Sequence, residues 1–488
     1  MTHILSSPPR RGERWRRVLL VAAYVGTVVF VPLVVGTGNW MYKILLSADP
    51  SQPPAYSGAL PAPPIPDPNK KIAVVISGAD GAEIGDTLEA FEPLARSGAF
   101  NVYSVAPDRT LLALGAGGMS GGSTLDFLPH FSFAEYDALV GRPPDLIAVP
   151  ALPNYSPEHD AAVLDWIRGH FGPNTTLLGI CVGDEVVADT GLVAGHTATS
   201  NIHVFDYVES HEPDAHWLHN FRYYDDGAIV TSSDLTTGLD ATLHLIDRYV
   251  GRAKALEVAR EIGLTHTEVL DDPRFDPPPL NEFIRVGAIA GLEGPKQQLG
   301  VLMYDGVTEL GLSGIVDPLE GSLAARTLFV APERNVIRSA NGFLFVPRYS
   351  FDTLPPVDRV VVAPGVGPGV SENIFAKQQV MAAWSTHQPQ RPAEDIYQNV
   401  GSGEMAYDVS FADIARTRNG SLARSVATML LYAGASQVDD TSRPISEVFT
   451  ALTLSLMGAG LVSVASHRST RRRAGVQPIP QPARRVTN

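Results

Sequence analysis

The sequence is poor in cysteine and in positive charge. Cys181 is its single cysteine among 488 residues, which excludes an internal disulfide framework and any zinc or iron–sulfur site built from several cysteines. The net charge is −15. The arginine-rich stretches 1–17 and 467–488 are positively charged, so the residues between them carry a net charge of −25. So acidic a body repels phosphate backbones, and we expect no nucleic acid among the partners.

Two long runs lack charged residues. The first, residues 18–35 with an extension to residue 39, is long enough to cross the roughly 30 Å core of a bilayer as a helix. The second is residues 448–466. Arginines flank both runs on their outer sides, so the positive-inside rule predicts an integral plasma-membrane protein with both termini cytoplasmic and an extracytoplasmic body. A cleaved signal peptide is the alternative for the first run, and a buried core helix for the second.

Proline marks the boundaries of the globular parts. Eight prolines between Pro50 and Pro68 predict an extended stalk, and the Pro-rich residues 271–279 separate two globular parts. The predicted organisation is a basic cytoplasmic N-terminus (1–17), a transmembrane helix (18–42), a Pro-rich stalk (43–69), a first α/β domain (70–265), a linker (266–295), a second α/β domain (296–440), a transmembrane helix (446–467) and a basic disordered tail (468–488).

Short β-branched runs alternate with amphipathic helical patterns in the first domain. The runs are residues 71–77, 101–107, 146–150, 177–181 and 227–232, and the helical patterns are residues 87–96, 159–171 and 239–249. This alternation predicts a mostly parallel sheet covered by helices on both sides. The opening of the pattern recurs at residues 298–319, 327–333 and 359–365. We therefore expect a duplicated lobe, packed as a lobe–lobe pseudo-dimer or used in a homodimer.

The single cysteine stands at a predicted turn between a strand and a helix. Residues 177–189 read LLGICVGDEVVAD, an apolar strand followed by Cys181, Gly183 and a helix. Such a turn places the side chain at the carboxyl edge of the sheet, where open α/β folds bind ligands. The helix N-terminus predicts a lowered thiol pKa. A buried, inert cysteine is the alternative. The second lobe is shorter at this place and cannot hold the same site.

These segments resemble a known family. The residues concerned are GICVG around Cys181, GLVAGHTATSN (191–201), TSSDLTTGLDATLHLIDRYVG (231–251) and the pattern D-G-x-E-x-x-D formed by Asp80, Gly81, Glu83 and Asp86. They are similar to the ThiJ/PfpI branch of the class I glutamine amidotransferase-like superfamily. The resemblance covers residues 70–263 well and residues 298–432 more faintly. It implies an α/β fold of two flavodoxin-like, class I glutamine amidotransferase-like parallel-sheet sandwich lobes, the second lobe degenerate because Gly311 replaces its acid. With the two apolar runs, the predicted architecture is two such lobes flanked by transmembrane helices.

The resemblance also implies the residues of a site. Cys181 matches the nucleophile, and Asp86 matches the acid beside it, with Glu83 as a neighbour; a helix N-cap is the other interpretation of Asp86. Asn201 stands where relatives often carry a basic histidine, and an amide cannot accept a proton at neutral pH. The predicted site then comprises Cys181, Asp86 and His203 as catalytic candidates and Glu83, Gly183, Asp184, Asn201, Ala151 and Leu152 as binding residues.

Two of these positions weaken the case for turnover. Asn201 replaces the family's histidine, for which His203 is a possible substitute base, and Ala151 with Leu152 replaces two glycines of a turn that gives backbone N–H groups to the substrate. We therefore expect a protein that binds or senses a small molecule. The alternatives are a cysteine-dependent hydrolase or hydratase and a redox sensor. No cofactor is predicted, and no metal, because His203, His211, His216 and His219 lack a metal-binding spacing.

Overall fold

The computed structural model describes residues 11–47, 53–116, 125–365, 371–401, 403–441 and 445–474. The basic residues 1–10 and 475–488 lie outside this range, as do residues 48–52 of the Pro-rich segment. The helices are α1 (Arg11–Ser47), α2 (Ile84–Arg96), α3 (Phe133–Leu139), α4 (Ala161–His170), α5 (Asp184–Asp189), α6 (Phe205–His211), α7 (Leu235–Val250), α8 (Arg252–Glu261), α9 (Leu280–Leu292), α10 (Glu309–Gly321), α11 (Ser371–His387), α12 (Ala406–Thr417), α13 (Gly420–Met429) and α14 (Ile445–Ala474).

The strands are short and alternate with these helices. They are β1 (Lys71–Ile76), β2 (Gly81–Glu83), β3 (Phe100–Ala106), β4 (Leu112–Gly115), β5 (Leu125–Phe127), β6 (Phe131–Ser132), β7 (Leu146–Val149), β8 (Thr176–Ile180), β9 (Thr197–Ala198), β10 (His216–Trp217), β11 (Tyr223–Asp225), β12 (Ile229–Ser232), β13 (Gln297–Leu302), β14 (Ala325–Ala331), β15 (Ile337–Arg338), β16 (Leu344–Pro347), β17 (Tyr349–Ser350) and β18 (Arg359–Val362). Single 3₁₀ turns occupy Cys181–Gly183, Glu268–Leu270 and Ala435–Gln437. The chain divides into a helical unit (residues 1–41, 287–294 and 444–488) and an α/β unit (residues 42–286 and 295–443).

The helical unit is built on α1 and α14. Their apolar stretches, Val18–Leu45 and Ile445–Ala465, have mean hydropathies of 2.6 and 1.9 and are long enough to span a membrane. The two helices contact each other: Ser455 Oγ donates to the carbonyl oxygen of Val28 at 2.9 Å, and a Cβ on Gly458 would lie 2.7 Å from Thr27. Small residues of α14 thus let the backbones approach closely. Helix α14 continues to Ala474, so residues 468–474 are helical where the sequence analysis expected a disordered tail.

The first sheet of the α/β unit has seven strands in the order β11-β12-β8-β7-β1-β3-β6. All neighbours are parallel except β11 and β12. Strands β1, β7 and β8 are buried almost throughout, since helices cover both faces of the sheet. The mixed α/β class and the parallel sheet predicted from the sequence are confirmed.

The second sheet has four parallel strands in the order β17-β14-β13-β18. This order corresponds to β6-β3-β1-β7 in the first sheet, and it ends where β8 would follow. The edge of β18 is covered by a loop: Glu394 N–H donates to the carbonyl oxygen of Val360 at 2.8 Å, and Glu394 accepts at its carbonyl from Val362 N–H at 3.0 Å. Within the described ranges, no further strand extends this sheet.

The strands and helices next to the first sheet pack against those next to the second sheet. Strand β5 pairs antiparallel with β16, and both belong to a five-stranded sheet of order β15-β16-β5-β4-β2. Helix α2 packs against α10. Between these helices, the Tyr407 hydroxyl oxygen lies 2.7 Å from Glu89 Oε1 and 2.5 Å from Asp317 Oδ2. A hydroxyl carries one hydrogen, so one of the two carboxyls must be protonated to satisfy both contacts.

The two predicted connectors carry more structure than expected. In the Pro-rich segment, Arg334 donates to the carbonyl oxygens of Pro54 and Ala55, and Arg109 donates to that of Pro61. Proline content alone does not predict these contacts, which hold the segment on the α/β unit. In the range expected as a linker, helix α9 occupies residues that the sequence analysis left without structure.

Candidate functional site

Cys181 sits on a sharp backbone turn at the end of β8. Its φ is +56°, a left-handed conformation that costs a residue with a side chain about 1–2 kcal/mol. The turn is also crowded, because a Cβ on Gly183 would collide with the carbonyl oxygen of Val149. Gly183 therefore lets the turn pack against β7. This is the strand–turn–helix geometry that the sequence predicted, and it presents the sulfur at the carboxyl edge of the sheet.

The sulfur is buried and its environment is acidic. Cys181 is 6% exposed, and Asn201 Nδ2 lies 3.3 Å from Sγ as a hydrogen-bond donor. Burial raises the pKa of the thiol well above its ordinary value, and the carboxyls of Asp86, Asp234 and Glu83 raise it further. The N–H of Val182 lowers the pKa of the thiol, but this effect is smaller than those of burial and the carboxyls. The expected lowering of the thiol pKa by the helix N-terminus is therefore wrong, because desolvation outweighs the partial charge of a short helix.

Asp86 lies within helix α2 and does not cap it. The N-cap is Glu83, whose Oε2 accepts from the N–H of Asp86 at 2.7 Å, so the N-cap interpretation of Asp86 is wrong. Asp86 is fully buried, and its Oδ2 accepts from the N–H of Ala151 at 2.9 Å. Burial and the neighbouring Glu83 raise the pKa of Asp86 well above its ordinary value. Asp86 is thus suited to hold a proton rather than to accept one from a substrate.

The turn after β7 has lost its capacity to bind a substrate oxygen through Ala151. Its N–H is already donated to Asp86, and its carbonyl oxygen accepts from Glu83 N–H at 2.9 Å. Ala151 still lines the cavity described below, whereas Leu152 is buried in the core and does not. Asp184 does not line the cavity either: it is fully buried, and burial raises its pKa.

Asn201 is held in one orientation by His203. The side-chain oxygen of Asn201 accepts from the backbone N–H of His203 at 2.9 Å, which turns the amide nitrogen toward the sulfur. The His203 side chain is exposed and borders the cavity. In the part of the chain that the structure describes, no hydrogen bond joins its ring to Cys181. The structure therefore brings Asn201 into contact with the thiol and leaves His203 at the rim.

A cavity of about 480 Å³ opens beside Cys181. Its walls come from the carboxyl edge of the first sheet, from β2, from the connector after α8 and from α9, α10 and α13, and they are mostly apolar; the lining residues are Glu83, Ala151, Cys181, Val182, Ser200, Asn201, Ile202, His203, Phe205, His219, Asn220, Ser233, Asp234, Leu235, Phe275, Pro277, Pro278, Phe283, Gly321, Val426, Met429, Leu430 and Leu431. The sequence analysis missed the walls contributed by the connector and by α13.

Asp234 is the functional candidate that sequence reasoning missed. It caps α7, directly after β12, and its Oδ1 accepts from Leu235 N–H at 2.8 Å. Burial raises its pKa to about 7, although Leu235 N–H and Arg222 lower it. Strand β12 lies next to β8 and parallel to it. The segment TSSD after a parallel strand was therefore a signal that could have placed Asp234 at the same sheet edge as Cys181.

The predicted histidine group does not converge. The His219 ring stacks on Phe205 with centroids 4.0 Å apart, and the His211 ring stacks on Tyr207 at 3.8 Å. Among the described residues, no group of three or more histidine, cysteine or carboxylate side chains is arranged to hold a metal ion.

Residues 70–248 match the model of the DJ-1/PfpI family. Among solved structures, the chain is similar to DJ-1beta of Drosophila melanogaster (20% identity, 39% of this chain and 96% of that chain covered, TM-score 0.32). It is also similar to a ThiJ/PfpI family protein from Pseudomonas syringae (18% identity, 46% and 85% covered, TM-score 0.32) and to an AraC family transcriptional regulator from Pseudomonas putida (14% identity, 39% and 97% covered, TM-score 0.31). No curated protein sequence matches significantly. The matched residues 70–248 contain Asp86, Cys181 and Asn201, and they agree with the resemblance found in the sequence.

Proposed function

We propose that this protein is anchored in a membrane and binds a small molecule in the cavity beside Cys181, with the cysteine as a contact and not as a nucleophile. The observation that carries the proposal is the 480 Å³ cavity itself, bordered by the thiol. Its volume falls within the range of small-molecule sites, and its mostly apolar walls with few polar groups are typical of them.

The surroundings of the sulfur favour binding over turnover. The thiolate is the reactive form of cysteine, and burial raises the pKa of the Cys181 thiol, which keeps it protonated at neutral pH. Asn201, the group in contact with the sulfur, cannot take its proton. The N–H of Ala151, which could have stabilised an oxyanion, is engaged by Asp86.

The test measures whether a ligand protects Cys181 from alkylation. Full-length protein in detergent is treated with iodoacetamide at alkaline pH, with and without phenylbutanol as a neutral apolar probe. We expect the probe to slow labelling at least about threefold in the native chain. Val426→Trp, which fills the cavity, should abolish protection, whereas Leu139→Trp, on an exposed residue, should keep it. Equal protection in both variants would contradict the proposal.

A cysteine-dependent hydrolase or hydratase is the second candidate. It is favoured by the left-handed backbone at Cys181 and by Asp234, whose pKa of about 7 suits a proton acceptor in the same cavity. In this scheme Sγ attacks a carbonyl carbon, Asp234 or His203 takes the thiol proton through water and returns it to the substrate oxygen, and buried Asp86 assists only by its proximity to the thiol. Turnover of small amides or aldehydes by the native chain that is lost in Cys181→Ser would establish it.

Anchoring through α1 and α14, with both termini cytoplasmic and an extracytoplasmic body, is proposed from the two apolar stretches and the flanking arginines. Cysteines introduced one at a time in a Cys181→Ser background report the topology. A membrane-impermeant maleimide should label Leu60→Cys in intact cells and leave Ala483→Cys unlabelled until the cells are opened. Loss of residues 1–17 from the mature chain, measured by intact mass, would instead indicate a cleaved signal peptide.

We further propose that residues 296–440 are a degenerate copy of residues 70–265, packed on it as a pseudo-dimer. The shared strand order, the pairing of α2 with α10 and the antiparallel contact of β5 with β16 support this. An experimental structure in which β13, β14 and β18 fail to superpose on β1, β3 and β7 would contradict it.

A further inference from the structure

The cavity lining is acidic. Glu83 and Asp234 contribute carboxyl groups, and no lysine or arginine occurs among the described residues that line the cavity. Histidines His203 and His219 and the Cys181 thiol are the other titratable groups of the lining. An anionic ligand would therefore meet carboxyl groups without a permanent positive charge to offset them.

The helix N-termini at this edge do not supply the missing positive charge. Asp184 and Glu185 occupy the first turn of α5, and Asp234 caps α7. These acids already compensate the partial positive charge of the helix ends. At both positions, an acidic side chain therefore already compensates the backbone N–H groups that would bind an anion at an uncapped helix end.

Asp234 is the carboxyl best placed to meet a ligand. Its side chain caps α7, accepting from the backbone N–H groups of Leu235 and Thr237, and it remains partly accessible. The nearby Arg222 lowers the pKa of Asp234, but it donates its Nε–H to Asp240 at 2.6 Å and does not line the cavity. The charge of ionised Asp234 is therefore only partly balanced from within the chain.

The remaining walls suit an apolar body. Phe275 and Phe283 present aromatic rings, and Val426, Met429 and Leu431 add aliphatic surface. Aromatic faces attract a cation as well as apolar groups. A ligand with one positive charge and an apolar body would satisfy the carboxyl and the walls together.

Building on the proposed small-molecule function, we infer that the cavity takes an organic monocation with an apolar body, its positive charge facing Asp234. Ionised Asp234 would gain a charge-assisted contact that no other side chain of the lining offers it. Neutral molecules of the same shape bind through the walls alone, and anions bind worst.

The test compares three probes that share one apolar body: phenylbutylamine, phenylbutanol and phenylbutanoate. Their dissociation constants for the full-length chain are measured by calorimetry at about pH 8, where an ordinary imidazole is neutral. We expect the amine to bind about tenfold more tightly than the alcohol, and the acid more weakly than both. In Asp234→Asn the amine-to-alcohol ratio should fall to about one. Asp165→Asn, which removes the same charge from an exposed helix surface, should keep the native ratio.

Each outcome decides one question. Failure of all three probes to bind the native chain would overturn the proposed binding function, and with it this inference. Binding of the alcohol with no preference for the amine, or a preference for the acid, would overturn the inference and leave the binding function standing. An amine preference that survives in Asp234→Asn would overturn the assignment of the charge to Asp234.

Discussion

The edges of the two parallel sheets can be compared strand by strand. In the first sheet, β7 is followed by β8, and the turn at Cys181 opens a cavity at the carboxyl edge. In the second sheet, the corresponding position beside β18 is filled by the loop around Glu394. The first edge carries buried acids with raised pKa values, such as Asp86 and Asp184. The first edge borders an open cavity, whereas the second edge is closed by backbone hydrogen bonds.

Charge pairing differs in the same way between the two edges. Arg359 of β18 donates to Glu394 Oε2 at 2.8 Å and to Asp413 Oδ2 at 2.9 Å. The side-chain hydrogen bond with Glu394 is the largest of the effects that raise the pKa of Arg359. The second edge is thus stabilised by paired charges, whereas burial without a cationic partner prevails at the first. At the first edge burial favours the protonated, neutral form of the acids, whereas at the second edge Arg359 favours their ionised form.

The largest expected loss of stability comes from a substitution in the turn at Cys181, at the first edge. Gly183→Ala places a methyl group against the carbonyl oxygen of Val149, so we expect a loss of about 3 kcal/mol or more in the free energy of unfolding. Chemical denaturation of the full-length chain measures it. Gly169→Ala, in open space on α4, is the matched control and should be neutral or stabilising by up to about 1 kcal/mol. Similar values for the two variants would show that the turn is not tightly packed.

A smaller loss of stability is expected when the ion pairs of Arg359 at the second edge are removed. Arg359→Met removes the ion pairs of Arg359 with Glu394 and Asp413 and leaves Arg416 as the remaining cationic partner of Asp413, at a cost of about 2 kcal/mol because the pairs are partly exposed. Thermal unfolding reports the change. Arg274→Met, which removes an exposed arginine whose side chain pairs with Asp272, should change stability far less. A negligible effect of Arg359→Met would mean that backbone pairing alone secures this edge.

The two edges should respond to pH in opposite directions. The pKa of Asp184 is raised by burial, so its contribution to stability is present in acid and is lost as pH rises through the folded value. The pKa of Glu394 is lowered by Arg359, so its contribution is present above about pH 4.5 and is lost as pH falls. Unfolding measured against pH should therefore show that Asp184→Asn reduces the loss of stability as pH rises above the ordinary carboxyl value, and that Glu394→Gln reduces the loss of stability as pH falls. An unchanged loss with rising pH in Asp184→Asn would contradict the raised pKa.

The smallest expected effect is on the alkylation rate of the Cys181 thiol and not on the stability of the fold. Asn201→His introduces a group that can accept the proton of Cys181, and we expect alkylation at neutral pH to quicken about tenfold. Asn201→Ala removes a hydrogen bond to sulfur and should slow alkylation severalfold. The rate of iodoacetamide labelling against pH gives both values. A slower reaction in Asn201→His would indicate that the cavity, and not the missing base, limits the thiol.

The sheet and the cysteine turn could be predicted from the sequence because both depend on local signals. Apolar runs of β-branched residues predicted β1, β3, β7 and β8, and a strand–Cys–x–Gly–helix pattern predicted the turn at Cys181. The pKa of the thiol was predicted in the wrong direction, since burial depends on what packs over the turn. The walls from Phe275, Phe283 and α13 lie far along the chain from Cys181 and have no periodic signal that links them to it.

The contact between α1 and α14 has a further consequence for the chain between them. Because these helices pack together, the roughly 400 intervening residues form a closed loop whenever the pair is intact, even if the α/β unit unfolds. Closing so long a loop reduces the conformational freedom of the unfolded polypeptide by an amount worth on the order of 5 kcal/mol, comparable to a long-range disulfide. A chain with a single cysteine thus gains a topological restraint through two apolar helices.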